Sequence, residues 1–440
     1  MPSPVTDVLV RDLLGAPLRH ALVASGLTGH PDDYLPVIGI FSRRSLLSLP
    51  LSSPDEVRAA VAGAREAART WGALRDTQRT RWSCRLQRTL AVRHAALLTV
   101  LQDVSGLGPA DAEAELRGVR RTLLRHTVAA GPPRALRRRP RSGSPPPPAP
   151  RRPAVAMSHV DGARPLVSLL EGALPALLAG VTVVSETDHR TSVPTLAVLA
   201  AAREAGLPHG CWALAVDRQA ADLRCVLAEH TDRVSPQCCA WDPWRRSPPG
   251  LLVLRHDGDA RSAARATIRS CFARAGRRCA ATPLVAVHEV RLAAFLEHLA
   301  RETARFRPAT ALPHHQWRAR LHAWTDAALD AGAQPVGSGT PPGRGFPLVP
   351  DPIVLMAPPL GAEALPWPPV GPVALLVRFS AWAEALDLAR RTGPHLGVFT
   401  RTRLAQLAPQ FAGLAATRIQ LNAAPEAGLP PHQAHAAIGR

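Results

Sequence analysis

Apolar positions recur along this chain with two different periods. In SSPDEVRAAVAGAREAARTWGAL, residues 52–74, Val57, Ala60, Val61, Ala64, Ala68 and Trp71 follow three- and four-residue steps, the spacing of one helix face. Ser53 is the expected N-cap, Pro54 suits the first helical position, and Glu56 completes a capping box. Further amphipathic helices are expected over 81–104 and 109–129. Later the pattern changes to short apolar runs between helices. A helix-like run at 166–178 precedes the strand VTVVS at 181–185, and a helix at 192–205 stops at Gly206. The second half repeats this: LLVLRHDGDA as strand and turn, a helix over 261–273, PLVAVHEV as strand, and a helix over 291–305. VALLVRFSAWAEALDLARRT and LGVFTRTRLAQLA each read as strand then helix. Short buried strands alternating with helices imply an α/β fold built on parallel sheets.

One stretch fits neither period. GPPRALRRRPRSGSPPPPAPRR, residues 131–152, carries four consecutive prolines, which forbid helix interior and central strand alike, so a basic, extended linker is expected. A nuclear-targeting or anion-binding role for residues 137–141 is the functional alternative to that solvated linker.

Composition narrows the chemistry. At 440 residues the chain is long enough for two or three domains. No run of about 20 uncharged apolar residues occurs, so no membrane span is expected. The N-terminus lacks a basic region followed by an apolar core, so no secretory signal is read and a cytoplasmic location is expected. The formal charge of +19 points toward polyanions, but the chain has no lysine, one Asn, one Tyr and 45 Pro. That skew reflects a bias toward Arg, Pro and Ala, which weakens the charge as an argument for a nucleic-acid partner. Without lysine, a Walker A loop, a pyridoxal-phosphate Schiff base and a kinase strand Lys are all excluded. Seven cysteines form no CxxC pair, which argues against structural zinc and a disulfide framework, and no metal site is assigned.

Six colinear stretches carry a family resemblance: VRAAVAGAREAARTWGAL; PALLAGVTVVSETDHRTSVPTLAVLAAAREAGLPHG; DGDARSAARATIRSCFARAGRRCAATPLVAVHE; GRGFPLVPDPIVLM; VGPVALLVRF; and LGVFTRTRL. Together they resemble the aldehyde dehydrogenase superfamily. DRQAADLRCVLAEHTDRV followed by CCAWD is most similar to the C-terminal domain of the two-domain family sixteen members. The resemblance implies a Rossmann-like cofactor domain, a catalytic α/β domain and a small oligomerisation element. It also implies oxidation of aldehydes to acids with NAD or NADP through a cysteine thioester. The corresponding segments are 1–130 and 153–241 for a degenerate NAD-binding domain, 249–425 for the catalytic-type domain, and 426–440 for a truncated tail. The linker lies where the oligomerisation hairpin begins in relatives, so that element is expected to be reduced.

Residue by residue, the resemblance is uneven. GRRC, residues 276–279, matches the family's Gly-Gln-x-Cys and puts Cys279 at the nucleophile position; a small buried cysteine is the competing reading. Asp242 in DPWRRSP corresponds to the general base on a shorter arm. At the oxyanion Asn the spacing of Pro165 and Pro175 registers Ala163, which cannot donate a side-chain hydrogen bond. Where the family has Lys-Pro-Ser for adenosine ribose the chain has Glu186-Thr187-Asp188; Glu186 can accept from ribose hydroxyls but repels the 2′-phosphate of NADP. No counterpart of the Gly-Ser-Thr-x-x-Gly turn, which meets the pyrophosphate, lies between Val234 and Asp242. Pro368 replaces the Glu that binds the nicotinamide ribose.

Three functions follow from these residues. The first is a catalytically impaired family member acting as a scaffold for a protein partner or a homodimer, with NAD(P) binding in doubt. The second is an active NAD(P)-dependent aldehyde dehydrogenase, or a cofactor-independent esterase, using Cys279 and Asp242. The third, an Arg-rich nucleic-acid binder, has only the basic linker in its favour.

Overall fold

A computed structural model of the chain describes residues 34–129, 155–218, 222–234, 248–337, 348–358, 365–414, 416 and 418–425. The chain divides into two compact units, Met1–Ser105 with Ala112–Cys238, and Gly106–Asp111 with Cys239–Arg440.

The first unit opens with an antiparallel ribbon, β1 (Tyr34–Ile38) and β2 (Ser45–Pro50). Helix α1 (Pro54–Ala73) starts at the expected capping box: Ser53 Oγ accepts from Glu56 N at 3.2 Å, and Glu56 Oε2 accepts from Ser53 N at 2.8 Å. The amphipathic stretch expected over 81–104 forms two helices, α2 (Asp76–Val92) and α3 (His94–Asp103). They break at Arg93, which leaves helical geometry at φ −90° and ψ 11° and ion-pairs with Glu204. Helix α4 spans Pro109–Ala129.

Then come β3 (Val155–His159), α5 (Pro165–Leu178), β4 (Thr182–Asp188), α6 (His189–Glu204), β5 (Trp212–Asp217), α7 (Asp222–His230) and β6 (Arg233–Val234). The four strands make a parallel sheet in the order β5-β4-β3-β6. Val57, Val61 and Ala64 of α1 and Leu223 and Leu227 of α7 pack on Met157, Val184 and Ala215. A second pair, α5 and α6, packs against the same strands. Both are apolar and buried nearly all round, as helices enclosed within a domain must be.

Unit two carries β7 (Leu251–Leu254), α8 (Ala260–Thr267), β8 (Leu284–His288), α9 (Glu289–Arg305), α10 (His315–Asp330), β9 (Gln334–Pro335), β10 (Ile353–Met356), β11 (Val373–Phe379), α11 (Trp382–Arg391), β12 (His395–Phe399) and β13 (Arg418–Leu421). Its seven-stranded sheet runs β13-β12-β7-β8-β11-β10-β9, parallel except for β9. Helices α8 and α9 cover one face, while α10 and α11 cover the other. The helix expected over 261–273 is α-helical only to Thr267 and continues as one π-turn, Ile268–Phe272. That widened turn places Ser270 Oγ to accept from Thr282 N at 3.1 Å and Cys271 Sγ to donate to Thr282 O at 3.0 Å. Among the described residues no helix is long and apolar enough to cross a membrane.

Candidate functional site

Parallel sheets gather ligands beyond the carboxyl ends of their strands. In the first unit that edge holds Glu186, and it is fully buried. Its Oε2 accepts from Arg224 Nε of α7 at 3.1 Å and lies 3.1 Å from His159 Nδ1 of β3, the residue paired with it across the sheet. The remaining oxygen, Oε1, is enclosed and has no hydrogen-bond partner among the described residues. Two residues on, Asp188 Oδ1 accepts from Arg190 N at 2.7 Å and caps α6. Burial, with Arg190 beside it, pulls the His189 pKa down to about 4, so this imidazole is neutral at pH 7.

The loop between β3 and α5 carries the position registered as the oxyanion donor. Ala163 is fully buried there, and its backbone N donates to Asp161 Oδ1 at 2.9 Å. Asp161 Oδ2 is enclosed without a partner among the described residues. The N-terminus of α5, a natural anion site, is taken by Glu115 of α4, fully buried, whose Oε1 accepts from Leu166 N at 3.1 Å and Val167 N at 2.8 Å. Carboxylates therefore meet the amides of this loop and helix start.

In the second unit, the chain leaves the π-turn through three left-handed residues, Arg274 (φ 55°), Ala275 (φ 54°) and Gly276 (φ 64°). Gly276 lies against the backbone of Gly371, so the GRRC and VGPV segments, distant in sequence, meet here. A turn closed by Ala281 N donating to Arg278 O at 2.9 Å then presents Cys279, half-buried. Arg277 is buried, and its Nη1 donates to Ala311 O at 3.2 Å. Pro368 is buried, so a ring without an acceptor occupies its position. Asp242 lies outside the described residues, as do the 235–241 segment and the basic linker. His159, Arg224, Asp161 and Glu115 had no role in the sequence reading; their alignment depends on strand register and helix packing that no local spacing reveals.

The thiols differ enough to be separated chemically. Cys225 is exposed; Cys211 is buried, and burial pushes it up to about 11. Burial also raises the Cys271 thiol far above its ordinary range. Among the described cysteines, iodoacetamide at pH 8 is expected to alkylate Cys225 first and the half-buried Cys84 and Cys279 more slowly, leaving Cys211 and Cys271 intact, as read by peptide mass spectrometry.

The aldehyde dehydrogenase family model matches residues 29–233 and 251–428, which spans both sheets and the Cys279 loop. The chain belongs to the aldehyde dehydrogenase family. Its fold is similar to that of a lactaldehyde dehydrogenase at 17% identity, covering 91% of this chain and 90% of that one with a TM-score of 0.75. An NADP-dependent glyceraldehyde-3-phosphate dehydrogenase from Bacillus halodurans C-125, complexed with NADP, matches at 17% identity, TM-score 0.72, over 91% and 90% of the two chains. A gamma-glutamyl-gamma-aminobutyraldehyde dehydrogenase from Burkholderia cenocepacia J2315 matches at 19% identity, TM-score 0.72, over 94% and 92%. Among curated proteins, none matches by sequence. Aldehyde dehydrogenase architecture is thus retained at an identity too low to carry activity with it.

Proposed function

We propose that this family member is impaired in aldehyde oxidation and serves as a scaffold or interaction module for a protein partner or a second copy of itself. The observation that carries this reading is the state of Glu186. A carboxylate offered to a ribose must be reachable from outside, whereas this one is fully buried, with its Oε2 held between Arg224 and His159. The described residues on this edge therefore do not fit a dinucleotide. Supporting features are the methyl of Ala163 in place of a donor, the enclosed Asp161 carboxylate beside it, and Pro368. Loss of one oxyanion donor costs about 3 kcal/mol of transition-state stabilisation, and an anionic neighbour adds to that cost. The narrower kinship proposed is with the C-terminal domain of the two-domain family sixteen proteins.

Isothermal titration of NAD and of NADP into the purified chain, paired with an aldehyde turnover assay, tests the reading. The expected result is no saturable binding at millimolar nucleotide and no cofactor reduction. Stoichiometric binding, with turnover abolished by Cys279→Ser, would overturn it. The retained turn around half-buried Cys279 favours a second reading, NAD(P)-dependent oxidation of an aldehyde to a carboxylic acid through a Cys279 thioester with Asp242 as base. That alternative succeeds or fails on the same pair of measurements.

A further inference from the structure

The parallel sheet of the first unit brings one ring nitrogen against a donor and an acceptor together. His159 Nδ1 lies 3.1 Å from Glu186 Oε2 and 3.2 Å from Arg224 Nη2. An imidazole nitrogen carries either a lone pair or a hydrogen, so it serves one of these partners at a time. With the proton absent from Nδ1, the nitrogen accepts from Arg224 Nη2, and the same guanidinium donates through Nε to Glu186. When the ring is protonated, Nδ1–H donates to Glu186 Oε2 and turns a hydrogen and a positive charge toward the guanidinium. Glu186 Oε1, enclosed and unpartnered among the described residues, is the acceptor toward which a displaced Arg224 can move.

We infer that His159, Glu186 and Arg224 form a proton-operated latch that ties α7 to the sheet edge, with Arg224 holding both neighbours when His159 is neutral with its hydrogen on Nε2, and giving up the imidazole when the ring is protonated. Arg224 sits in the first turns of α7, and α7 leads directly into β6, the edge strand that pairs with β3. Loosening the helix therefore reaches the edge of the sheet. Other charged groups surround the latch. Asp188, His189 and Arg190 stand at the β4–α6 junction, and Asp217 follows on β5 with its Oδ2 accepting from Leu223 N at 3.3 Å. Asp161 lies beyond β3. At the far end of β3, Arg65 of α1 pairs with Asp232 at 3.0 Å, and Asp232 accepts from Val155 N. None of these places a hydrogen and a lone pair in competition for one nitrogen as His159 does.

Hydrogen–deuterium exchange of the 222–230 peptide in the full chain, corrected for intrinsic exchange chemistry, tests the latch between pH 5.5 and 7.5. The native chain is expected to lose about tenfold of its protection at the acid end. His159→Asn keeps a polar side chain but does not titrate, and its peptide is expected to exchange alike at both pH values. Arg224→Gln should exchange quickly at both. Equal protection of the native chain at the two pH values overturns the latch, as does an unchanged pH response in His159→Asn. The peptide spanning β5 serves as an internal reference; a matching loss there would indicate general acid unfolding and likewise overturn the inference.

Discussion

Replacing Arg79 with alanine is expected to destabilise the first unit by about 4 kcal/mol, read as a fall in the midpoint of its urea transition. Arg79 is 1% exposed, yet its partners are almost all backbone. Nε donates to Leu178 O at 2.8 Å, while Nη1 donates to Trp71 O at 3.1 Å and to Leu74 O at 2.5 Å. Those carbonyls end α1 and α5, where the last helical turn runs short of backbone donors, although Trp71 O also accepts from Leu74 N at 3.2 Å. One guanidinium therefore caps two helix C-termini and places its charge at the negative ends of both dipoles. Its salt bridge to Asp76 adds little, because that carboxylate is 64% exposed. Alanine would leave these carbonyls, and Gly72 O at 3.4 Å from Nη1, facing a cavity. Arg79→Lys is expected to lose about half as much, since an ammonium on a flexible stem cannot fork across two helix ends. Trp71 and Trp82, whose rings meet edge to face at 5.6 Å beside this site, make tryptophan fluorescence a direct probe. A loss under about 1 kcal/mol for the alanine variant would show that water replaces the guanidinium at little cost.

Legibility in the sequence depended on range. Helix α1 could be read in detail because a capping box closes within three residues and its apolar face repeats each turn. The alternation of strand and helix, and with it the α/β class, was legible for the same local reason. Strand β3 was not, because five residues behind a proline-rich stretch offer no period to count. Glu186 was picked out as a lone acceptor for ribose, but its condition depends on partners 27 and 38 residues away. Only the parallel register of β3 on β4 and the docking of α7 bring those partners to it. Arg277 shows the same dependence. Two residues before Cys279 in sequence, it carries a contact that local spacing does not show, its Nη1 donating to the Ala311 carbonyl 34 residues away.

The second large effect is expected at Gly276. A Cβ built there would stand 1.9 Å from Gly371 O, a backbone atom that cannot rotate aside, and the residue also holds φ +64°. Gly276→Ala thus meets two penalties, a left-handed conformation costing about 1–2 kcal/mol and an overlap that forces the two segments apart. Together they are expected to exceed 3 kcal/mol in the stability of the second unit. Gly337 separates the two contributions, because it has φ +78° but nothing within 4 Å of a Cβ. Gly337→Ala should cost only the conformational part, about 1 kcal/mol. The contact matters for chemistry as well as folding, since Gly276 lies two residues before the turn that presents Cys279. Displacing it is expected to raise the rate of Cys279 alkylation in the folded Gly276→Ala chain, while Cys271, held to Thr282 O within the π-turn, stays protected. If Gly276→Ala and Gly337→Ala lose equal stability, the packing of the GRRC segment on VGPV does not hold the cysteine loop.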